Sequence, residues 1–404
     1  MNKKFSILKL TLCLCIGIAI LAAPLSSALA EDIKFKTMTR NLYLGADIFK
    51  VVEAAQNPDP ALGGLDVPIA VAEIFQTMLF TNFPARAEAL ADEIARVKPQ
   101  VVGLQEVEAY YIQSPGDMAW GGTVPATDVV IDFYTVLDDA LKARGMEYDA
   151  FIIENANIEM PMLTGFTPEG IPTFDDVRLV DHDIVLVRKG HAAYEVLANH
   201  YTYNVGYDLG GIYAEFTRGY VIVDVDIKGE TFRFVNTHLE VRSSPESIFR
   251  VFQSWQMQEL LGTLDYLSGL IGPKPIIMVG DFNSSPEDVP GMGCHPGLGC
   301  FPYVPPYMLA VGAGYLDTWL LQSKYDEGYT SGFDDLVSDP FAELTSRIDL
   351  IFVDPLDLML DKVSCDVVGD EVSDMVPNTN APGYFLWPSD HAGVVAKVKF
   401  VTPE

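Results

Sequence analysis

Basic residues are scarce in this chain. Lysine and arginine number 26 against 56 aspartates and glutamates, a formal net charge of −30. A surface of that sign repels polyanions at long range. It argues against tight non-specific nucleic-acid binding, which rests on neutralising phosphates with lysine and arginine. The cations are also scattered: Arg188-Lys189 and Arg242 form no track for a phosphate backbone. Acidity does not exclude a phosphorylated substrate, because a bound divalent cation inverts the local field. Histidine is scarcer still, with six in the chain, so where each one falls is informative.

Long apolar runs are missing except at the start. Leu10 to Leu25 is apolar apart from Thr11 and two cysteines. It follows Asn2-Lys3-Lys4 and Lys9, and it precedes a small-x-small site, Ala28-Leu29-Ala30. This pattern predicts a signal peptide over 1–30, since a membrane span needs roughly 20 apolar residues. Cys13 and Cys15 each follow a leucine, which does not suit a lipid-modified cysteine. The expectation is a secreted or periplasmic bacterial chain, 31–404, with no transmembrane segment after cleavage. Without the leader's three lysines, 23 basic and 56 acidic residues remain, a net charge of −33.

Cysteine is rare as well. Outside the leader there are only Cys294, Cys300 and Cys365. Cys294 and Cys300 bracket His295-Pro296-Gly297-Leu298-Gly299, a tight loop that a disulfide would close in an exported protein. A zinc site on Cys294, His295 and Cys300 would lack a fourth ligand, so the disulfide is preferred and Cys365 is left over.

What is present is a series of short apolar runs, each releasing polar residues at its end. Ile276 to Val279 reads as a buried strand that stops at Gly280 and releases Asp281 and Asn283. Two apart on a strand, these point to the same side. Phe35 to Thr39 ends at Arg40-Asn41. Pro84 to Val97 has helical spacing with proline in its first turn, and Val101 to Leu104 then releases Gln105-Glu106. Val129 to Arg144 reads as a helix, Tyr148 to Ile153 as a strand, and 154–180 as irregular. Tyr220 to Ile227 and Phe232 to Asn236 read as a hairpin releasing Thr237-His238. Residues 244–269 look helical. Ile348 to Val353 starts at Arg347-Ile348-Asp349, and the last strand, Val394 to Val401, follows Ser389-Asp390-His391. With no repeat and no linker, this predicts two sheets packed face to face with helices outside, as one domain. Stretches near 47–83 and 289–312 read as insertions, the first of short helices, the second a surface loop rich in glycine, proline and aromatics.

If the strand ends converge, Asn41, Glu106, His238, Asp281, Asn283, Asp349, Asp390 and His391 form one site. Its packed carboxylates repel unless a cation sits among them. Oxygen donors with few imidazoles favour Mg²⁺ or Mn²⁺, or Ca²⁺, over zinc. Singly, each residue has a plainer reading: Glu106 a helix cap, His238 a core histidine, Asp349 a strand start, Asn41 a turn residue.

Together, Gln105-Glu106, Asn236-Thr237-His238-Leu239, Gly280-Asp281-Phe282-Asn283, Ser346-Arg347-Ile348-Asp349 and Ser389-Asp390-His391, led by Asn41, come in an order that resembles the endonuclease/exonuclease/phosphatase superfamily. The resemblance runs from about residue 35 to the C-terminus. It implies an α/β fold, a four-layer α/β/β/α sandwich of two mixed sheets flanked by helices, and metal-dependent hydrolysis of a phosphoester. Glu106 then resembles the principal metal ligand, with Asn41 and Asp390 close by. His391 resembles the catalytic histidine and Asp349 the carboxylate that orients it. Asp281 resembles the group that activates or orients the water, and Asn283 and His238 resemble donors to the phosphate. A further residue, expected before the Thr-His motif, is one of Asn157, Glu159, Asp183 or Arg218; Asp47 is a supporting candidate. The substrate is a nucleic acid, a phospholipid or a small phosphate ester, so a nuclease-like phosphodiesterase stands beside a sphingomyelinase-like or inositol-phosphate enzyme. A non-catalytic binding module of the same fold is the remaining reading. The aromatic loop Phe301 to Tyr307 either leans on a membrane surface or, as preferred, packs on the domain.

Overall fold

A computed structural model describes residues 32–323 and 326–402. The expected signal segment, 1–30, lies outside the described residues. Two sheets form the centre. The first has the strand order Met359–Val368, Gly393–Val401, Asp32–Asn41, Val101–Gln105, Pro172–Arg188, Ala109–Gln113, Asp128–Asp132, with Tyr148–Phe166 also paired to Pro172–Arg188. The second runs Leu316–Asp317, Asp349–Asp354, Ile276–Asp281, Glu230–His238, Gly219–Ile227, Ala193–His200. Val101–Gln105 and Ile276–Asp281 are buried at every position, because both faces of each sheet are covered. That is why their sequences are continuous apolar runs rather than alternating ones.

The sheets meet across an apolar core. Phe232 of the second sheet packs between Phe35 and Phe400 of the first, with ring centroids 5.0 and 5.1 Å apart. One polar residue crosses this core. Asn236 donates to the carbonyls of Leu104 (2.8 Å) and Ile184 (3.2 Å) and accepts from Gln105 Nε2 (2.6 Å). It fits because Gly103 leaves room: a Cβ there would come within 2.5 Å of Asn236 Oδ1. Outside the first sheet lie the helices Phe49–Gln56, Asp66–Phe80, Phe83–Val97 and Phe133–Ala143; outside the second lie Ile248–Ile271 and Pro306–Gly312. The result is the expected four-layer α/β/β/α sandwich.

Two pairs of neighbouring strands are parallel. Asp32–Asn41 and Val101–Gln105 are joined through Phe83–Val97, with Asn41 opposite Gln105. Glu230–His238 and Ile276–Asp281 are joined through Ile248–Ile271, with His238 opposite Asp281. Both pairs end on the same edge of the sandwich, and Asp349 lies opposite Asp281 on the adjacent antiparallel strand. Carboxyl ends of parallel strands are where open α/β sheets present their ligands.

Three local expectations are corrected. Residues 154–180 are not irregular: Tyr148–Phe166 and Pro172–Arg188 form one long hairpin with register shifts between Glu154 and Asn157 and between Leu163 and Gly165. Bulges of this kind break the period of two that reveals a strand. Val129 does not start a helix. Asp128–Asp132 is an edge strand, and Asp132 caps the helix Phe133–Ala143 by accepting from the Thr135 N–H. The 289–312 stretch is not simply loop but a hairpin, Gly291–His295 with Gly299–Tyr303, followed by the helix Pro306–Gly312. Tyr303 and Tyr307 are buried and Phe301 packs on Trp255, so the aromatic loop rests on the domain.

Cys294 and Cys300 are disulfide-bonded, which leaves no thiol pair for zinc, and Cys365 is free and buried. Replacing both bonded cysteines by serine should lower stability by about 2 kcal/mol, the chain-entropy value for so short a loop, read as a fall in the urea midpoint. An unchanged midpoint would mean that the packing of Phe301 on Trp255 already fixes the hairpin.

Candidate functional site

The first sheet supplies Asn41, Glu106, Asp390 and His391. Glu106 leaves its strand at φ +54°, a conformation uncommon for a residue with a Cβ. Its carboxylate is held from both sides: Oε1 accepts from Asn41 Nδ2 at 3.0 Å and Oε2 from the Leu44 N–H at 2.8 Å. The Asn41 nitrogen also donates to Asp281 Oδ2 at 3.3 Å, while its oxygen accepts from the Tyr43 N–H at 2.8 Å. Asn41 therefore presents a nitrogen, not an oxygen, to the carboxylates. Asp390 lies beside Ser389, whose hydroxyl donates to the Asn41 carbonyl at 2.9 Å.

The second sheet supplies His238, Asp281, Asn283 and Asp349. Gly280 is required before Asp281, since a Cβ there would sit 1.9 Å from the Thr237 carbonyl. Asp281 Oδ1 accepts from the Asn283 N–H at 2.9 Å. Asn283 donates through Nδ2 to the Leu239 carbonyl at 3.1 Å and accepts from the Arg242 N–H at 3.2 Å. His238 Nδ1 accepts from Arg218 Nη1 at 2.9 Å, and its Nε2 lies 3.5 Å from Asp281 Oδ2. Burial, then the guanidinium of Arg218, pushes the His238 pKa well below the ordinary value, so this imidazole is neutral; its Nδ1 accepts from Arg218, and Asn283 Nδ2 lies 3.3 Å from its Nε2.

His391 is the opposite case. Burial works to lower its pKa, but Asp349, Asp390 and Asp281 outweigh that and hold it well above the ordinary value. Its Nδ1 donates to Asp349 Oδ2 at 2.8 Å and lies 3.8 Å from Asp281 Oδ2. The other Asp349 oxygen is buried and has no hydrogen-bond partner. Burial and Asp390 push Glu106 up to about 6; burial and Asp349 push Asp281 up to about 7. Burial also raises Asp390. These four carboxylates compete for too little positive charge, which is the condition a divalent ion relieves. Asp281, Asp349 and His391 bring ligand atoms within 4.8 Å of one another, a spacing that could hold a metal ion, but the His391 Nδ1 there already donates its proton to Asp349, so the pocket-facing Glu106 and Asp390 are the carboxylates left open to one.

All eight expected residues thus meet. Glu106, His238, Asp281, Asn283, Asp390 and His391 line a pocket of about 250 Å³, with Asn41 and Asp349 bonded directly behind them. Of the four candidates before the Thr-His motif, Arg218 lines the pocket. Asp183 is buried against Asn155 (3.0 Å), Glu159 accepts from the Ala126 N–H (2.9 Å), and Asn157 bonds Glu154 at the surface. Asp47 lines the pocket rim and accepts from the Phe49 N–H at 2.9 Å.

The residues that sequence reasoning missed are buried supports. Arg86 donates to the carbonyls of Thr81, Leu42, Tyr43 and Pro388. Arg40 pairs with Glu93 at 3.1 Å and donates to the His391 carbonyl. Arg347 pairs with Asp317 at 2.7 Å just before Asp349. One signal was available: Arg86 and Glu93 fall on the same helical stripe as Leu90 and Ile94, where an apolar face should be unbroken.

Residues 78–391 match the model of the Endonuclease/Exonuclease/phosphatase family. In sequence, no curated protein matches this chain. Among solved structures, an endonuclease/exonuclease/phosphatase family protein from Bacteroides thetaiotaomicron superposes with a TM-score of 0.51 at 16% identity, over 93% of this chain and 97% of that one. At that identity the likeness concerns the fold. A mannosyl-6-phosphatase from the same species (TM-score 0.48, 15% identity, 90% and 99% covered) and the human Nocturnin catalytic domain (0.47, 14%, 92% and 97%) are more distant. The family match spans the strand ends from Glu106 to His391 and the sheets reproduce the fold, so this chain belongs to the endonuclease/exonuclease/phosphatase family.

Proposed function

We propose that this protein is a divalent-metal-dependent phosphoester hydrolase, a phosphodiesterase of nuclease-like type. The observation that carries the reading is the convergence of four carboxylates, Asp281 and Asp349 buried and Glu106 and Asp390 half-buried, around an imidazolium, His391, whose Nδ1 proton is donated to Asp349. The donor set suits a hard ion such as Mg²⁺ or Mn²⁺. Glu106 and Asp390 would hold it, braced by Asn41, while the Nδ1 proton of His391 occupies the space between Asp281 and Asp349. When bound, the ion supplies charge stabilisation at the phosphate oxygens.

The chain's own residues do the rest. His391 and Arg218 offer positive charge where a phosphoester builds negative charge during attack by water. His238, neutral, offers a hydrogen bond to a phosphate oxygen. Asn283 fixes the Asp281 turn and the Leu239 carbonyl. Asp281, with a pKa pushed up to about 7, is matched to taking a proton from water at neutral pH. The acidic surface favours a small or neutral-headed ester over a long polyanion. Among the described residues no helix is long and apolar enough to cross a membrane. The proposed setting is secreted or periplasmic, as a single domain over 31–404.

The test is a hydrolysis panel on the chain from residue 31. Substrates are plasmid DNA, RNA, sphingomyelin vesicles, inositol phosphates and bis(p-nitrophenyl) phosphate, each with Mg²⁺, Mn²⁺, Ca²⁺ or EDTA. Turnover with Mg²⁺ or Mn²⁺ and none in EDTA is expected. Metal should also raise the melting temperature by mass action, by about 2.7 kcal/mol of stabilisation at one hundred times its Kd. Absence of any metal-induced shift would remove the proposed site.

A further inference from the structure

The helix Ile248–Ile271 packs on the second sheet, and its buried side carries two amides, Gln253 and Gln256, among Val251, Met257 and Leu260. Both amides are fully buried, and the chemistry described above uses neither. Gln253 directs its two N–H groups to two different strand ends. Its Nε2 donates at 2.6 Å to the carbonyl of Glu240, just past His238, and at 2.9 Å to the carbonyl of Asn283. Gln256 holds the other side of Glu240, accepting from its N–H at 2.8 Å, and donates through Nε2 at 2.8 Å to the carbonyl of Tyr203. The next residue, Asn204, accepts from the Arg218 N–H at 2.9 Å. One helix face thus grips the turn after His238, the Asp281-Asn283 turn and the loop behind Arg218. Among the described residues, neither glutamine bonds to Glu106 or Asp390, which belong to the other sheet. The arrangement carries a penalty: Gln253 Oε1 is buried without a partner, which is destabilising. Apolar side chains of similar length would fill the same space, but they could not join carbonyls of separate strand ends.

We propose that Gln253 and Gln256 are positioning residues, which fix His238 and Arg218 against the Asp281-Asn283 turn so that the phosphate is met by all of them at once. This rests on the phosphoesterase reading above. The two amides act only through the groups they hold, and they act on the phosphate side of the pocket rather than on the side of Glu106 and Asp390. Misplacing such a set by about 1 Å costs about 10²-fold in rate, so the unpartnered oxygen of Gln253 is tolerated for alignment.

The experiment measures binding of Mg²⁺ alone, and of inorganic phosphate with Mg²⁺ present, by calorimetry on the chain from residue 31. Gln253→Met, which keeps the length and removes both N–H groups, should weaken phosphate about tenfold, the equivalent of one hydrogen bond to a charged group. Mg²⁺ binding should stay the same. Gln256→Met should give the same pattern, and thermal melting identifies the folded variants, either of which suffices. In a His238→Ala background Gln253→Met should cost about threefold or less, because a group it aligns is gone and the two changes no longer add. Phosphate binding unchanged in a folded variant would overturn the proposal. So would an equal loss of Mg²⁺ and phosphate affinity, or a full tenfold loss in the His238→Ala background, since both are marks of general support. Phosphate that fails to bind the unmodified protein overturns it too. Hydrolysis of bis(p-nitrophenyl) phosphate reads the chemistry separately: the expected binding pattern without turnover keeps the positioning role and removes the phosphoesterase.

Discussion

His391→Ala is expected to lower kcat by about 10³-fold on whichever phosphoester the panel identifies, with KM changed far less. Loss of one preorganised donor to a developing oxyanion costs about 10²–10³, and loss of a positioned acid or base costs about 10²–10⁴. In the proposed mechanism His391 acts in the transition state rather than in ground-state binding, because its charge is already compensated by Asp349 at 2.8 Å before substrate arrives. The fold should persist. Arg40 grips the backbone carbonyl of residue 391, not its ring, and Ser389 anchors the turn to Asn41. Asp349→Asn should cost about as much while keeping the shape of the site, because the amide can present its N–H to Nδ1 and impose the wrong tautomer. Steady-state kinetics with circular dichroism on both variants is the check. Equal falls in binding and turnover, or activity within tenfold of the parent, would assign His391 a structural role.

Arg86→Ala should be the most destabilising substitution outside the pocket, by about 4 kcal/mol. The guanidinium is buried and ties four carbonyls, at 2.9 Å (Thr81), 2.6 Å (Leu42), 3.1 Å (Tyr43) and 3.0 Å (Pro388). Those carbonyls come from the end of one helix, the chain leaving Asn41 and the residue before Ser389-Asp390. Among the described residues, no other side chain hydrogen-bonds to all three of these stretches. Deleting it strands buried acceptors, each costing about 1–3 kcal/mol before relaxation. Burial lowers the Arg86 pKa to about 10, so it remains charged at neutral pH and also offsets Asp390 and Glu106. Domains of this kind have about 5–15 kcal/mol in total, so the loss should appear as a large fall in urea midpoint, together with lost activity. Arg86→Lys, a single point charge without the fork, should recover less than half. A fall below about 1 kcal/mol would mean that water replaces the guanidinium.

The division between what the sequence revealed and what it did not has a physical basis. Strand ends were legible because each is a local event: an apolar run, a glycine or turn residue, then a polar pair. Asp281 and Asn283 after Gly280 are the clearest case. Convergence was inferable because the strand ends carry too many carboxylates to be tolerated singly. Arg218 was one of four candidates until the long hairpin fixed its surroundings, and that hairpin was hidden by its bulges. Arg86 and Arg40 were invisible because their partners lie far along the chain; Arg86 reaches Pro388 and Arg40 reaches His391. A buried arginine satisfied by distant carbonyls leaves only one local trace, an interruption in an apolar stripe.

The pocket is a seam. Asn41, Glu106, Asp390 and His391 belong to one sheet, and His238, Asp281, Asn283 and Asp349 to the other. Two hydrogen bonds, Asn41 to Asp281 and His391 to Asp349, span the join. Any slip between the sheets would therefore pull these eight residues apart, and Asn236 acts against slip like a dowel. Its bonds to Leu104, Ile184 and Gln105 lock the alignment from inside. With the floor pinned in this way, rim side chains such as Ile48 and Phe49 can differ without moving the sheets, whereas the Leu44 backbone must stay where it holds Glu106.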